Sequence, residues 1–250
     1  MTNVLDSYTA DDFTAKLAAQ RFMLVEKATP ADEPHAYLLG GQSGAGKTRL
    51  HKICASKLNG NVIVINGDEF RKSHPRFADI QATFGMDAPA HTAKWSGAMT
   101  EALIDSLSKE GFNLVIEGTL RTSKVPLGTA ELLKSRGYTV SLAIMAVKPE
   151  ISLISCQIRY EMMRIAGTTP RATDPEHHAK IVHDIVDNLA VLEQSGVFES
   201  IELYDRAGRR LEGASPSETL RSVLFGDWTE EERGHYAHLQ QRLDDLRQVA

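Results

Sequence analysis

Apolar residues in this chain come in short blocks, separated by longer stretches in which they recur every third or fourth position. The blocks lie at 36–39, 62–65, 113–116, 140–147 and 200–204. None alternates strictly between apolar and polar positions, which suits strands covered on both faces, as a parallel sheet requires. The intervening stretches predict helices over 11–27, 47–58, 91–109, 126–137, 151–165 and 176–196. On the third of these Trp95, Met99, Leu103 and Leu107 form an i, i+4 stripe that reads as core, and Gly111 follows as a stop. The sixth opens on Asp174-Pro175, a capping side chain followed by proline at the first helical position. After Tyr204 the segment 205–210 predicts a turn between two short strands, and a helical tail runs from about 217. Strands alternating with helices predict an α/β fold, a three-layer sandwich around a mostly parallel sheet, with 1–250 as a single domain.

Composition narrows the picture little. Hydrophobic residues at 42% and charged residues at 24% are ordinary for a globular chain of 250 residues, a length that accommodates one sizeable core. The net charge of −5, with no basic run interleaved with aromatics, argues against nucleic acid as a partner. The run 140–147 is too short to span a bilayer, and the acidic N-terminus is unlike a signal peptide. Cys54 and Cys156 both fall in apolar helical patterns, as core residues of a reducing compartment would. These points predict a cytoplasmic protein with no membrane partner. His177, His178 and His183 share a helix without i, i+4 spacing, so a zinc site is not expected there.

One motif carries the chemistry. Gly41-Gln42-Ser43-Gly44-Ala45-Gly46-Lys47-Thr48 matches G-x-x-x-x-G-K-[ST] without a departure, between a predicted strand and a predicted helix. Glycines let successive N–H groups turn inward around phosphates, and the helix N-terminus adds its dipole. Lys47 is expected to reach the β- and γ-phosphates and Thr48 to hold Mg²⁺. The fold is therefore expected to be P-loop NTPase/kinase-like, acting with ATP or GTP on a small hydroxyl-bearing substrate.

The second strand ends at Asn66-Gly67-Asp68, on the rim where open α/β sheets bind ligands. Asp68 reads either as a base accepting the proton of an attacking hydroxyl or as the cap of a short helix beginning at Glu69. Arg159 lies in a helix, and Arg171 in the turn-rich segment 167–175 that follows. Both read either as guanidinium groups for a transferring phosphoryl, brought in by a lid, or as solvated surface charges. Glu117 follows the third strand onto the same rim, and Glu101 lies opposite the apolar stripe of its helix.

The segments LLGGQSGAGKT, VIVINGDEFRKSHP, NLVIEGTLRT, VPLGTAELLKSRGYTV, IRYE, PRAT and LFGDW occur here in an order and spacing that resemble the zeta toxins of bacterial toxin–antitoxin modules, especially their shorter PezT-like branch. The resemblance extends over nearly the whole chain. It implies a kinase that phosphorylates the 3′-hydroxyl of the amino-sugar of UDP-N-acetylglucosamine and so blocks peptidoglycan synthesis. It also implies a small helical antitoxin that occludes the nucleotide site. Carried over by position, it makes Lys47 the phosphate-binding lysine, Asp68 the base, and Arg159 and Arg171 the arginines on the transferred phosphoryl. It places Glu101, Glu117, Thr119, Arg121 and Thr129 where the family contacts or orders its sugar nucleotide. This chain has Asn66 where the family often has aspartate, which removes a negative charge beside the expected base. Two other functions remain open: a P-loop kinase for another small hydroxyl compound, such as an antibiotic or a different UDP-sugar, and a nucleotide-binding interaction module without transfer activity.

Overall fold

The computed structural model describes residues 4–26, 28–168, 170 and 172–249. Six strands form one sheet: β1 (His35–Gly40), β2 (Ile63–Ile65), β3 (Leu114–Ile116), β4 (Thr139–Met145), β5 (Ser200–Tyr204) and β6 (Arg210–Leu211). Their order is β2-β3-β1-β4-β5-β6; the first five are parallel, and β6 returns antiparallel to β5 through the predicted turn. Side chains alternate across this sheet and define two cores. Ala36, Leu38, Leu142 and Ile144 face one side, whereas Tyr37, Leu39, Ala143 and Met145 face the other.

Eleven α-helices are described. The first face is covered by α1 (Ala10–Val25), α6 (Ala93–Lys109), α7 (Lys124–Lys134), α9 (Pro175–Ser195) and α10 (Pro216–Phe225). The second is covered by α2 (Thr48–Lys57), α8 (Pro149–Ile165) and α11 (Glu230–Gln248). Three short helices, α3 (Gly67–Phe70), α4 (Phe77–Phe84) and α5 (Ala88–His91), fill the long β2–α6 connection. The expected three layers are present. The stripe of Trp95, Met99, Leu103 and Leu107 is fully buried in the first core, each such side chain contributing about 1.5–3 kcal/mol. Both cysteines are free and buried, and burial pushes the Cys54 thiol up to about 12.

Several expected boundaries move. The helix expected over 91–109 is broken at Thr92, whose hydroxyl turns back onto Ala88 O, so α5 and α6 are separate. The strand expected over 140–147 ends at Met145, because Pro149 opens α8. The tail is two helices, parted at Gly226, with Thr229 and Glu232 forming a capping box for α11. Asp174 caps α9 as expected, accepting from Glu176 N. Among the described residues no helix is long and apolar enough to cross a membrane.

Candidate functional site

The site is built where β1, β2 and β3 end on one rim. At β1 the chain must turn sharply into α2, and Gly41, Gly44 and Gly46 take φ of 131°, 77° and 100°, in a region L side chains rarely enter. Gly44 is held tightest: a Cβ there would lie 2.0 Å from Ser152 O. Gln42, fully buried, donates through Nε2 to Val147 O at 2.8 Å and to Ser152 Oγ at 3.2 Å. Ser152 Oγ also lies 2.9 Å from His178 Nε2, and His178 bonds to the backbone of Ser43. Burial holds His178 below its ordinary pKa, opposed by that backbone contact. The phosphate loop is thus anchored to both α8 and α9.

Lys47 folds over this loop, donating to Gly41 O at 2.9 Å and Gln42 O at 3.3 Å. Burial lowers its pKa, and the charges of Glu117 and Asp68 oppose that effect. Glu117, the first residue after β3, continues the sheet by donating its N–H to Ile65 O at 2.9 Å. Its carboxylate lies 4.0 Å from Lys47 Nζ and 2.9 Å from His51 Nε2. Burial works to raise the Glu117 carboxyl, but His51 and Lys47 outweigh it and hold it below its ordinary value. Thr48 stands exposed at the first position of α2, and among the described residues no group hydrogen-bonds its hydroxyl. A hydroxyl is a hard oxygen donor, the kind that suits Mg²⁺.

Asp68 does not cap α3. That role belongs to Asn66, whose Oδ1 accepts the Asp68 N–H at 3.1 Å, so the helix starts at Gly67. Asparagine caps as well as aspartate, and the substitution at this position leaves the turn intact. The Asp68 carboxylate instead accepts from Arg71 Nε at 2.9 Å and is half exposed, at 53%.

Beyond Asp68 lies a cavity of about 310 Å³ lined by Asp68, Arg71, Glu117, Thr119, Arg121 and Thr129, among others. Leu120, between two of these, is one of only two described non-glycine residues with positive φ, at 55°. Such a conformation costs about 1–2 kcal/mol. It is held by the burial of the Leu120 side chain and by Asn188 Nδ2, which donates to its carbonyl at 3.0 Å. Glu101, expected at the substrate, is exposed on α6 and does not line this cavity.

Arg159 approaches the loop from α8. It lies close enough for its charge to lower the pKa of Lys47, and its Nε is buried without a hydrogen-bond partner among the described residues. Arg171 lies outside the described residues. Arg206, on the turn after β5, donates to Gly44 O at 3.1 Å and shares with Arg159 a cavity of about 430 Å³ beside the loop.

Four participants escape the sequence reading. Arg206 had a signal, since it follows a parallel strand onto the ligand rim. Arg71 stands at i+3 from Asp68 on a helix, a spacing that pairs charges. Ser152 and His178 had none, because only the packing of α8 on α9 brings them to the loop.

The zeta toxin family model matches residues 22–211. Toxin PezT of Streptococcus pneumoniae serotype 4 is 40% identical over 248 residues, covering 97% of this chain and 98% of its own length. Toxin zeta of Streptococcus pyogenes is 38% identical over 231 residues, covering 90% of this chain and 80% of its own length. A solved structure of the PezAT chromosomal toxin–antitoxin system of S. pneumoniae superposes with a TM-score of 0.90 at 39% identity, over 98% of this chain and all of that one. An AvrRxo1-ORF1:-ORF2 complex, at a TM-score of 0.55 and 15% identity, covers 94% of this chain and 74% of its own and shares the fold.

Proposed function

This chain belongs to the zeta toxin family, and from that premise we propose that it is the kinase of a toxin–antitoxin module. It transfers the γ-phosphate of ATP or GTP to the 3′-hydroxyl of the amino-sugar of UDP-N-acetylglucosamine. The observation that carries this reading is the placement of Asp68, Glu117, Thr119, Arg121 and Thr129 around one cavity that meets the phosphate loop through the Glu117–Lys47 contact.

Each group has its own share in this reading. The loop amides and the α2 N-terminus hold the phosphates, and Lys47 exchanges its two carbonyl contacts for phosphate oxygens. Thr48 would hold Mg²⁺, which would supply positive charge to offset that of the phosphates. The acceptor oxygen bonds to the γ-phosphorus as the bond to the β,γ-bridging oxygen breaks. Its proton passes to the Asp68 carboxylate, and ADP or GDP leaves. Because the transition state is loose, that proton leaves late, and a carboxylate of ordinary basicity suffices. Arg159 and Arg171 stabilise the transferred phosphoryl. Thr119, Arg121 and Thr129 contact the sugar nucleotide.

The reaction takes place in the cytoplasm, where the phosphorylated product blocks peptidoglycan synthesis, and a small helical antitoxin silences it by covering the nucleotide site. The likeness to a toxin from a solved toxin–antitoxin system supports the partner.

Purified protein incubated with ATP, Mg²⁺ and UDP-N-acetylglucosamine should yield the singly phosphorylated sugar nucleotide by mass spectrometry. Asp68→Asn should bind both substrates and lose about 10²–10⁴-fold in turnover. Nucleotide binding without that product would leave a P-loop kinase and direct the search to other UDP-sugars and then other hydroxyl compounds.

A further inference from the structure

Arg71 lines the acceptor cavity, yet its guanidinium is committed largely to the protein. Nε donates to Asp68 Oδ1 at 2.9 Å, while Nη1 donates to Pro89 O at 2.6 Å and to Thr92 Oγ1 at 3.1 Å. One planar fork thus joins the candidate base to the α5–α6 junction. Its side chain is only 20% exposed, against 53% for Asp68, so the anchored partner is the more buried of the two. The anchor is itself rigid. Thr92 is fully buried and bonds through its hydroxyl to Ala88 O at 3.1 Å.

The turn bearing Asp68 is clipped to α6 at further points. Ser96 Oγ donates to Gly67 O at 2.6 Å, and Trp95 Nε1 donates to Phe70 O at 3.1 Å and Ser73 Oγ at 3.0 Å. These contacts hold the α3 backbone. The Arg71 bond reaches the Asp68 carboxylate itself.

We propose that Arg71 is a positioning residue for the base: it fixes the rotamer of Asp68 toward the acceptor cavity and ties that rotamer to the junction between α5 and α6. A carboxylate half open to solvent has several rotamers at little cost. The bond from Arg71 Nε restricts that freedom. Its fork can serve Asp68 and the junction together, which a lysine, with one compact ammonium, cannot do in the same geometry. Proton acceptance by Asp68 then occurs from one orientation, and a misplacement of about 1 Å is enough to cost on the order of 10² in rate.

The inference rests on the assignment of Asp68 as base, and its test separates the two. Turnover of UDP-N-acetylglucosamine is measured for wild type, Arg71→Ala, Arg71→Lys, Asp68→Asn and the Arg71→Ala/Asp68→Asn double variant. Arg71→Ala should lower kcat on the order of 10²-fold, with KM for ATP and for the sugar nucleotide changed by less than about threefold. Arg71→Lys, which keeps the charge, should recover part of the loss. The double variant should turn over no more slowly than Asp68→Asn alone, since a residue acting through Asp68 has nothing left to orient.

An unchanged kcat, a rise confined to the KM of the sugar nucleotide, or losses that multiply in the double variant would each overturn the proposal. If Arg71→Ala does not fold, Arg71→Gln takes its place in the same cycle. If wild type does not phosphorylate UDP-N-acetylglucosamine, the substrate reading fails. Arg71 is then judged by growth arrest on induced expression, which requires no named acceptor: Arg71→Ala should relieve arrest, Arg71→Lys only partly, and undiminished arrest by Arg71→Ala would refute the role.

Discussion

Gly44 and Gly60 share a φ of 77° but differ in surroundings, which makes them a matched pair for testing how the phosphate loop is held. Alanine at either position takes on the same left-handed strain, about 1–2 kcal/mol. At Gly60 a Cβ meets nothing within 4 Å. At Gly44 it would sit 2.0 Å from Ser152 O and 2.7 Å from Cys156 Sγ, whereas ordinary contact begins at 3.4 Å. Going from 2.0 to 3.4 Å requires the loop and α8 to part by about 1.4 Å. Ser152 is backbone there and cannot rotate away. That separation exceeds what the Gln42 bonds to Val147 O and Ser152 Oγ, at 2.8 and 3.2 Å, can absorb, and it also displaces the Arg206 bond to Gly44 O.

Gly60→Ala should therefore lower Tm by about 2–8 °C, at 2–4 °C per kcal/mol for a chain of this size, and bind ATP normally. Gly44→Ala should melt lower still, lose at least about tenfold in ATP affinity by calorimetry, and lose on the order of 10² in kcat as the phosphates shift by more than 1 Å. If Gly44→Ala instead melts with Gly60→Ala and binds ATP like wild type, the loop is not wedged against α8, and its geometry does not depend on that contact.

Two further outcomes follow from the charges. Lys47→Ala should weaken ATP binding and turnover together, because Lys47 is the buried cation of the loop; calorimetry and steady-state kinetics on one preparation decide it, and a loss in kcat alone would refute a binding role. Glu202 is nearly buried and accepts from Lys57 at 2.7 Å and from Tyr204 OH at 2.9 Å. Burial pushes its carboxyl up, but those hydrogen bonds outweigh it and hold the folded value below the ordinary 4.5. A depressed carboxylate stabilises the fold above its unfolded pKa and loses that contribution as pH falls through the folded value. Glu202→Gln should thus cost about 1–2 kcal/mol at pH 7, discounted because Lys57 is one-third exposed, and the gap in Tm should close below pH 4.5. A gap that stays constant with pH would show that packing, not the charge, is responsible.

The architecture was legible because strands buried on both faces must be written as apolar blocks, and 36–39 and 200–204 fall within or on β1 and β5. The phosphate loop was legible because its glycines answer a local backbone demand that few other sequences meet. Asp68 was half legible: its position on the rim followed from the strand before it, but whether it or Asn66 capped α3 depended on where one hydrogen bond formed. Glu101 was legible as an exposed residue opposite the apolar stripe of its helix, because helical period alone sets that.

The order of elements, the phosphate loop and the identity of the groups with chemistry to offer are written locally, since propensity, apolar period and glycine placement all act over a few residues. Which of those groups meet is settled by packing. The Arg71 fork to Asp68, Pro89 and Thr92, the Ser152–His178 link beneath the loop, and the Asn188 bond that steadies Leu120 join residues up to 68 positions apart. Those meetings depend on how helices pack on the two faces of the sheet, a choice made by the whole core and written in no single stretch of chain.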